Sequence, residues 1–179
     1  MPIVTQYNVT SQNSHQSGLS DAVISAFLSP SQTKNGVTWG AGPVFLVPTA
    51  TDDLLGGKKW GIGPTAVGLL QTNGMTFGAL VNQIWSFAGN KERPDINQLF
   101  VQPFFTYNWK SGAGLGAVVE MTENWATDTN VTFLILTASG LTRFGKLPVQ
   151  LTVGPRIPIS GPNKPDFGWR AAAVLLLPK

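Results

Sequence analysis

No cysteine occurs in the 179 residues. Disulfides, zinc–thiolate sites and thiol nucleophiles are thereby excluded. Histidine is reduced to His15, inside the polar stretch 11–17. A lone imidazole among Ser, Gln and Asn reads as a solvated loop side chain rather than a general base. A membrane-embedded lipid-modifying enzyme would rest on that residue alone. No spacing of His, Asp and Glu suggests a metal site. The sequence therefore names no catalytic residue, no metal ligand and no cofactor. Apolar runs are short as well: the longest, 171–177, falls far below the 18 that a membrane-crossing helix needs. Charge is scarce, at 12% of residues, about half the usual share. The net charge of +3 forms no basic stripe, so nucleic acid is not an expected partner. At 42% apolar the chain is too hydrophobic to be disordered.

The few charges are distributed unevenly. Many sit in short turn-like clusters, such as Asp52-Asp53, Lys58-Lys59 and Lys91-Glu92-Arg93. Between the clusters lie segments of about ten residues with an apolar period of two, the pattern of transmembrane β-strands. Ten strands are predicted, at 3–9, 22–28, 37–47, 60–70, 76–87, 98–109, 114–125, 131–142, 149–159 and 167–177. Turn signals separate several of them: Asn35-Gly36, Asn73-Gly74, Ser111-Gly112, 127–130 and Gly145-Lys146. Longer connections are read at 10–18, 52–59, 89–94 and 160–166. No segment carries a capped helical period. The expected fold is one all-β domain over 1–179, an antiparallel transmembrane β-barrel of about ten strands.

The ninth predicted strand shows the alternation best. Val149, Leu151, Val153, Ile157 and Ile159 share one face; Gln150, Thr152, Gly154 and Arg156 share the other. A soluble sandwich would place Lys, Glu or Asp on its wet face. Here that face carries Gly, Thr, Gln and an occasional Arg, which suits a crowded barrel interior. The odd residues of 149–159 and 167–177 are accordingly expected to face lipid. Trp39, Trp60, Trp85, Trp109, Trp125 and Trp169 fall near strand ends. Interfacial girdles and ordinary β-core filling both account for them.

One motif repeats. Trp39-Gly40-Ala41-Gly42-Pro43 returns as Trp60-Gly61-Ile62-Gly63-Pro64. Proline removes a ladder donor and alternate glycines strip one face of side chains, so a bulge or barrel corner is expected. It is not a phosphate loop, because no helix and no Gly-Lys-Ser/Thr follows. The run 44–56, then Lys59-Trp60-Gly61-Ile62-Gly63-Pro64-Thr65, Ile84-Trp85-Ser86-Phe87-Ala88-Gly89, Gln102-Pro103-Phe104 and the ending Leu175-Leu176-Leu177-Pro178-Lys179 complete a pattern over essentially the whole chain. It resembles a bacterial outer-membrane β-barrel family, known as transporters or grouped with phenol meta-degradation. The resemblance implies residence in the bacterial outer membrane and an uptake role for small, apolar or aromatic molecules. Family members typically begin with a signal peptide and about two further strands, neither of which is read here. Ile24 and Ile135 stand where relatives tend to be polar, which implies a drier interior.

Three charges lie well inside predicted strands: Glu120, Arg156 and Arg170. A lipid-facing Arg at mid-depth costs about 2–4 kcal/mol, so lumen placement is expected. With Gln150, Asn82 and Gln102 they are the candidate solute- or ion-contacting residues. Two roles stay open for the charges: a selectivity cluster, or a salt-bridge network filling a narrow barrel. The lipid bilayer and a small-molecule solute are the expected partners, with the protein a monomer or a discrete homo-oligomer. The competing reading is a non-enzymatic β-rich structural subunit whose apolar faces partner chains bury.

Overall fold

The computed structural model describes residues 3–7, 15–32, 35–145, 147–161 and 167–175. Among them there are strands and turns and no helix. The strands are β1 (Ile3–Tyr7), β2 (His15–Leu19), β3 (Ala22–Ser25), β4 (Val37–Val47), β5 (Lys59–Thr72), β6 (Met75–Gly89), β7 (Asn97–Asn108), β8 (Ala113–Asn124), β9 (Thr129–Phe144), β10 (Leu147–Ser160) and β11 (Gly168–Leu175). β3 to β11 form one antiparallel nine-stranded sheet in sequence order, curled into a half-barrel. Among the described residues β1 and β2 pair only with each other.

Eleven strands therefore replace the ten expected. The addition is β2, whose residues had been read as part of the loop 10–18; residues 8–14 lie outside the described residues. Strand one does not close the sheet by pairing with the last strand: its partner is β2. β3 and β11, the two edges, are separated by eight antiparallel steps and so run parallel. Antiparallel closure would take an odd number of additional strands.

Local chemistry explains the hairpins. Asn35 and Gly36 have φ of 52° and 76°, and Asn73 and Gly74 have 48° and 79°. Asn73-Gly74 thus takes the doubly left-handed turn whose twist matches β5 and β6, which it joins, and Asn35-Gly36 has the same left-handed backbone just before β4. Asp128 and Gly145 also sit at positive φ in their turns; Lys146 lies outside the described residues. The β5–β6, β7–β8 and β9–β10 turns gather at one end of the sheet, while the β8–β9 turn that holds Asp128 lies at the other. The longer β4–β5 and β6–β7 connections lie there too.

Register then assigns the faces. Val44, Leu46, Lys59, Thr65, Asn82, Ile84, Phe133 and Ile135 are all buried. Pairings such as Val44↔Gly63, Thr65↔Asn82 and Val118↔Ile135 put them all on one face. A single sheet buries a face only by curling around it, so this face is concave. The opposite, convex face carries most of the large exposed apolar side chains, including Trp39, Ile62, Trp85, Leu115, Val153 and Trp169. Leu151 and Val153 are exposed as expected, but Val149 on the same face is buried. Ile24 corrects another expectation. It pairs with Phe45 on the convex face and is exposed, while Ile135 is fully buried on the concave one.

The Gly-Pro repeat lies where neighbouring strands approach closely. Pro43 and Pro64 are direct cross-strand partners, so two residues without N–H oppose each other. A Cβ added at Gly63 would lie 1.7 Å from the Gln83 carbonyl oxygen, and one at Gly154 would lie 1.7 Å from that of Leu136. Both glycines precede prolines and project onto the concave face. Backbone can fold so closely over the neighbouring strand only where no side chain intervenes.

Candidate functional site

β8, β10 and β11 bring Glu120, Arg156 and Arg170 together on the concave face. Arg156 stands opposite Gly168, and Arg170 opposite Gly154. Each arginine thus faces a residue with no side chain, which leaves room for both guanidinium groups to lean towards β8. Arg170 Nη1 reaches Glu120 Oε1 at 2.5 Å, and Arg156 Nη2 reaches Oε2 at 3.3 Å. Strands β9 and β10 lie between β8 and β11, a separation of about 14 Å in a flat sheet. The contact therefore depends on the curl.

Two further groups complete the cluster. Gln102 donates its side-chain N–H to Glu120 Oε1 at 2.9 Å. Arg156 lies over the Phe133 ring, 3.2 Å from its centroid, a cation–π contact. The Glu120 side chain is 16% exposed, against 37% for Arg156 and 42% for Arg170. The carboxylate is thus fixed at the base of the cluster, while both cations reach the open concavity. One carboxylate balances only one of two guanidinium groups, so the cluster keeps a surplus positive charge.

The other candidates stand apart. Gln150 is on the concave face, but its amide points to Ser139 Oγ at 3.4 Å. Asn82, also concave, is buried between Thr65 and Phe100 on the flanking strands. Its Oδ1 has no hydrogen-bond partner among the described residues. His15 proves to be a strand residue opposite Tyr7 rather than a loop residue; its side chain is outside the described set. Among the described residues no three His, Cys, Asp or Glu converge as a metal site.

Sequence reasoning missed the role of Phe133 and the ion pairs at the long-connection end. Lys59 had been grouped with Lys58 in a turn-like cluster. It instead opens β5, is buried, and pairs with Asp95 at 2.8 Å. Its phase was legible, since it alternates with Gly61, Gly63 and Thr65 on the concave face. Asp53 is tied to Lys58 at 2.6 Å, and Asp52 accepts the Leu54 N–H at 2.8 Å. Hydrogen bonds from Lys59 and Lys58, reinforced by their charge, hold the Asp95 and Asp53 carboxyls below the ordinary range. Asp21 accepts backbone N–H groups of Ala50 and Gly57, fastening the start of β3 to the 48–58 connection.

Comparison of the chain with protein-family models, with curated proteins and with solved structures finds no match.

Proposed function

We propose that the chain forms the wall of a transmembrane β-barrel in a bacterial outer membrane. In this reading it is a passive pore or transporter for small molecules, as the family resemblance implies. It uses no cofactor and performs no covalent chemistry. One observation carries the reading. Between two rows of aromatic residues, the convex face presents one charged side chain among the described residues, Glu123, a single alternation inside Trp125 and hydrogen-bonded by Asn130.

Register places the rows. Trp60, Trp85, Trp125 and Trp169 lie towards the long-connection end; Trp39, Phe77, Phe105, Tyr107 and Trp109 lie towards the hairpin end. From Phe77 to Trp85 is eight residues, and from Asn97, opposite Trp85, to Tyr107 is ten. At about 3.4 Å per residue and a tilt of about 40°, the rows stand about 20–26 Å apart. Outer-membrane barrels carry an apolar band about 25 Å tall between aromatic girdles. A face of this composition in water would be an unusually large exposed apolar surface.

The cluster at Glu120 then lines the lumen. Its surplus charge favours anions and hydrogen-bond-accepting solutes, and its ion pairs narrow the passage. The structural-subunit reading draws on a different observation, the edges at β3 and β11, which pair with no further strand among the described residues. Edge strands recruit other chains. Refolding into detergent and then planar bilayers separates the two. Discrete conductance steps and migration in SDS that changes on heating are expected for a barrel. A chain that stays soluble without detergent and never conducts would refute it.

A further inference from the structure

The topology sorts the charges by end. Among the described residues, every carboxylate except Glu120 lies at the long-connection end, where four cations, Lys58, Lys59, Lys91 and Arg93, accompany them. Among the described residues the hairpin end carries Lys110 and Arg143 and no carboxylate. Solubility asks only for charge at both ends. It does not call for one end to be purely cationic.

The hairpin end also holds a formed depression of about 720 Å³ between the β5–β6 and β7–β8 turns. It is lined by Asn73, Tyr107, Asn108, Trp109, Lys110 and Ser111. Tyr107 and Trp109 meet edge to face at 5.1 Å, in the aromatic row of this end. The neighbouring backbone is already paired: Asn108 N–H donates to Gly74 O, and Trp109 N–H to Ala113 O. Side-chain donors therefore remain for a ligand: the Lys110 ammonium, two carboxamides, a seryl hydroxyl, a phenol and an indole N–H. The depression thus joins a cation and neutral donors to aromatic rings that sit at the edge of the apolar band.

We propose that this depression binds the phosphodiester headgroup of an anionic phospholipid. Lys110 meets the phosphate, and Tyr107 and Trp109 pack against the glycerol and the first acyl carbons. The charge sorting makes the described part of the hairpin end complementary to an anionic leaflet. This inference rests on the reading of the convex face as lipid-facing.

The test is refolding of the intact chain into vesicles of phosphatidylcholine with and without one third phosphatidylglycerol. Gentle detergent extraction and native mass spectrometry then count the lipids retained. Wild type should retain phosphatidylglycerol above its share of the bilayer. Lys110→Gln should reduce that enrichment about fivefold, the effect of one basic residue near a membrane surface. Lys91→Gln, at the opposite end, should leave it unchanged. Millimolar inorganic phosphate should not displace the lipid; displacement would mean a free-anion site and overturn the proposal. Insertion with no enrichment, or enrichment equal in Lys110→Gln and wild type, would overturn this proposal alone. Failure to insert into either vesicle would overturn the lipid-facing reading as well.

Discussion

Glu120→Gln is the most informative single change. It keeps the side-chain shape and one acceptor oxygen for Gln102 and Arg170, but turns an amide N–H towards Arg156 and removes the charge both arginines share. Loss of one partner from a fully buried pair costs about 3–5 kcal/mol. Both arginines are more than one-third exposed, so water screens much of this. A loss of about 1–2 kcal/mol is expected, read as thermal unfolding in detergent. The same change raises the local surplus from one positive charge to two. For a monovalent anion about 6 Å away in a water-filled passage, the added charge contributes about 0.7 kcal/mol. The anion-over-cation permeability ratio should therefore rise about threefold, measured as a reversal potential across a planar bilayer with a salt gradient. Arg170→Gln should shift the ratio the other way. Combining it with Glu120→Gln should recover part of the lost stability, because no unpaired charge is created at that contact. Conductance with selectivity unchanged in both single variants would refute the placement of the cluster in the conducting path. Unchanged stability in Glu120→Gln would refute the bridging geometry itself.

Three further outcomes test other parts of the structure. Val153→Arg, at mid-depth on the convex face, should cost about 2–4 kcal/mol and block insertion, whereas Thr152→Arg, on the concave face, should be milder; equal damage in a membrane-insertion assay would count against the barrel. Gly63→Val should destabilise by about 1–3 kcal/mol or more by equilibrium unfolding, because its side chain would meet the Gln83 carbonyl, while Gly68→Ala, with nothing within 4 Å, should stay within about 0.5 kcal/mol. The Asp95 carboxyl is depressed by its bond to Lys59, so its contribution is present above the ordinary value of 3.8 and is lost as pH falls through the lower folded value. Proteolysis of the 90–96 connection should therefore rise in wild type only below about pH 3.8, and Asp95→Asn should be susceptible at every pH with little further change on acidification.

Much of the fold was legible because it is local. Asn35-Gly36 and Asn73-Gly74 announce their turns, since few other residues accept the left-handed backbone those turns need. The period of two fixes which side chains share a face, and so placed Glu120, Gln102, Arg156 and Arg170 together before any contact was known. β2 was missed because His15 to Leu19 carries no alternation; its strand character comes from pairing with β1. Ile24 was misplaced because four residues of β3 set no phase of their own, and the register with β4 sets it instead. The burial of Lys59 follows from where β5 begins, a boundary that its partner β6 decides. The meeting of Arg170 with Glu120 across two intervening strands was likewise a tertiary outcome. Alternation and turn type are properties of a few backbone torsions, which the residues at those positions dictate. Curvature and the state of the edges are different in kind. They accumulate from twist, glycine corners and register over nine strands, and only the assembled sheet fixes their sum.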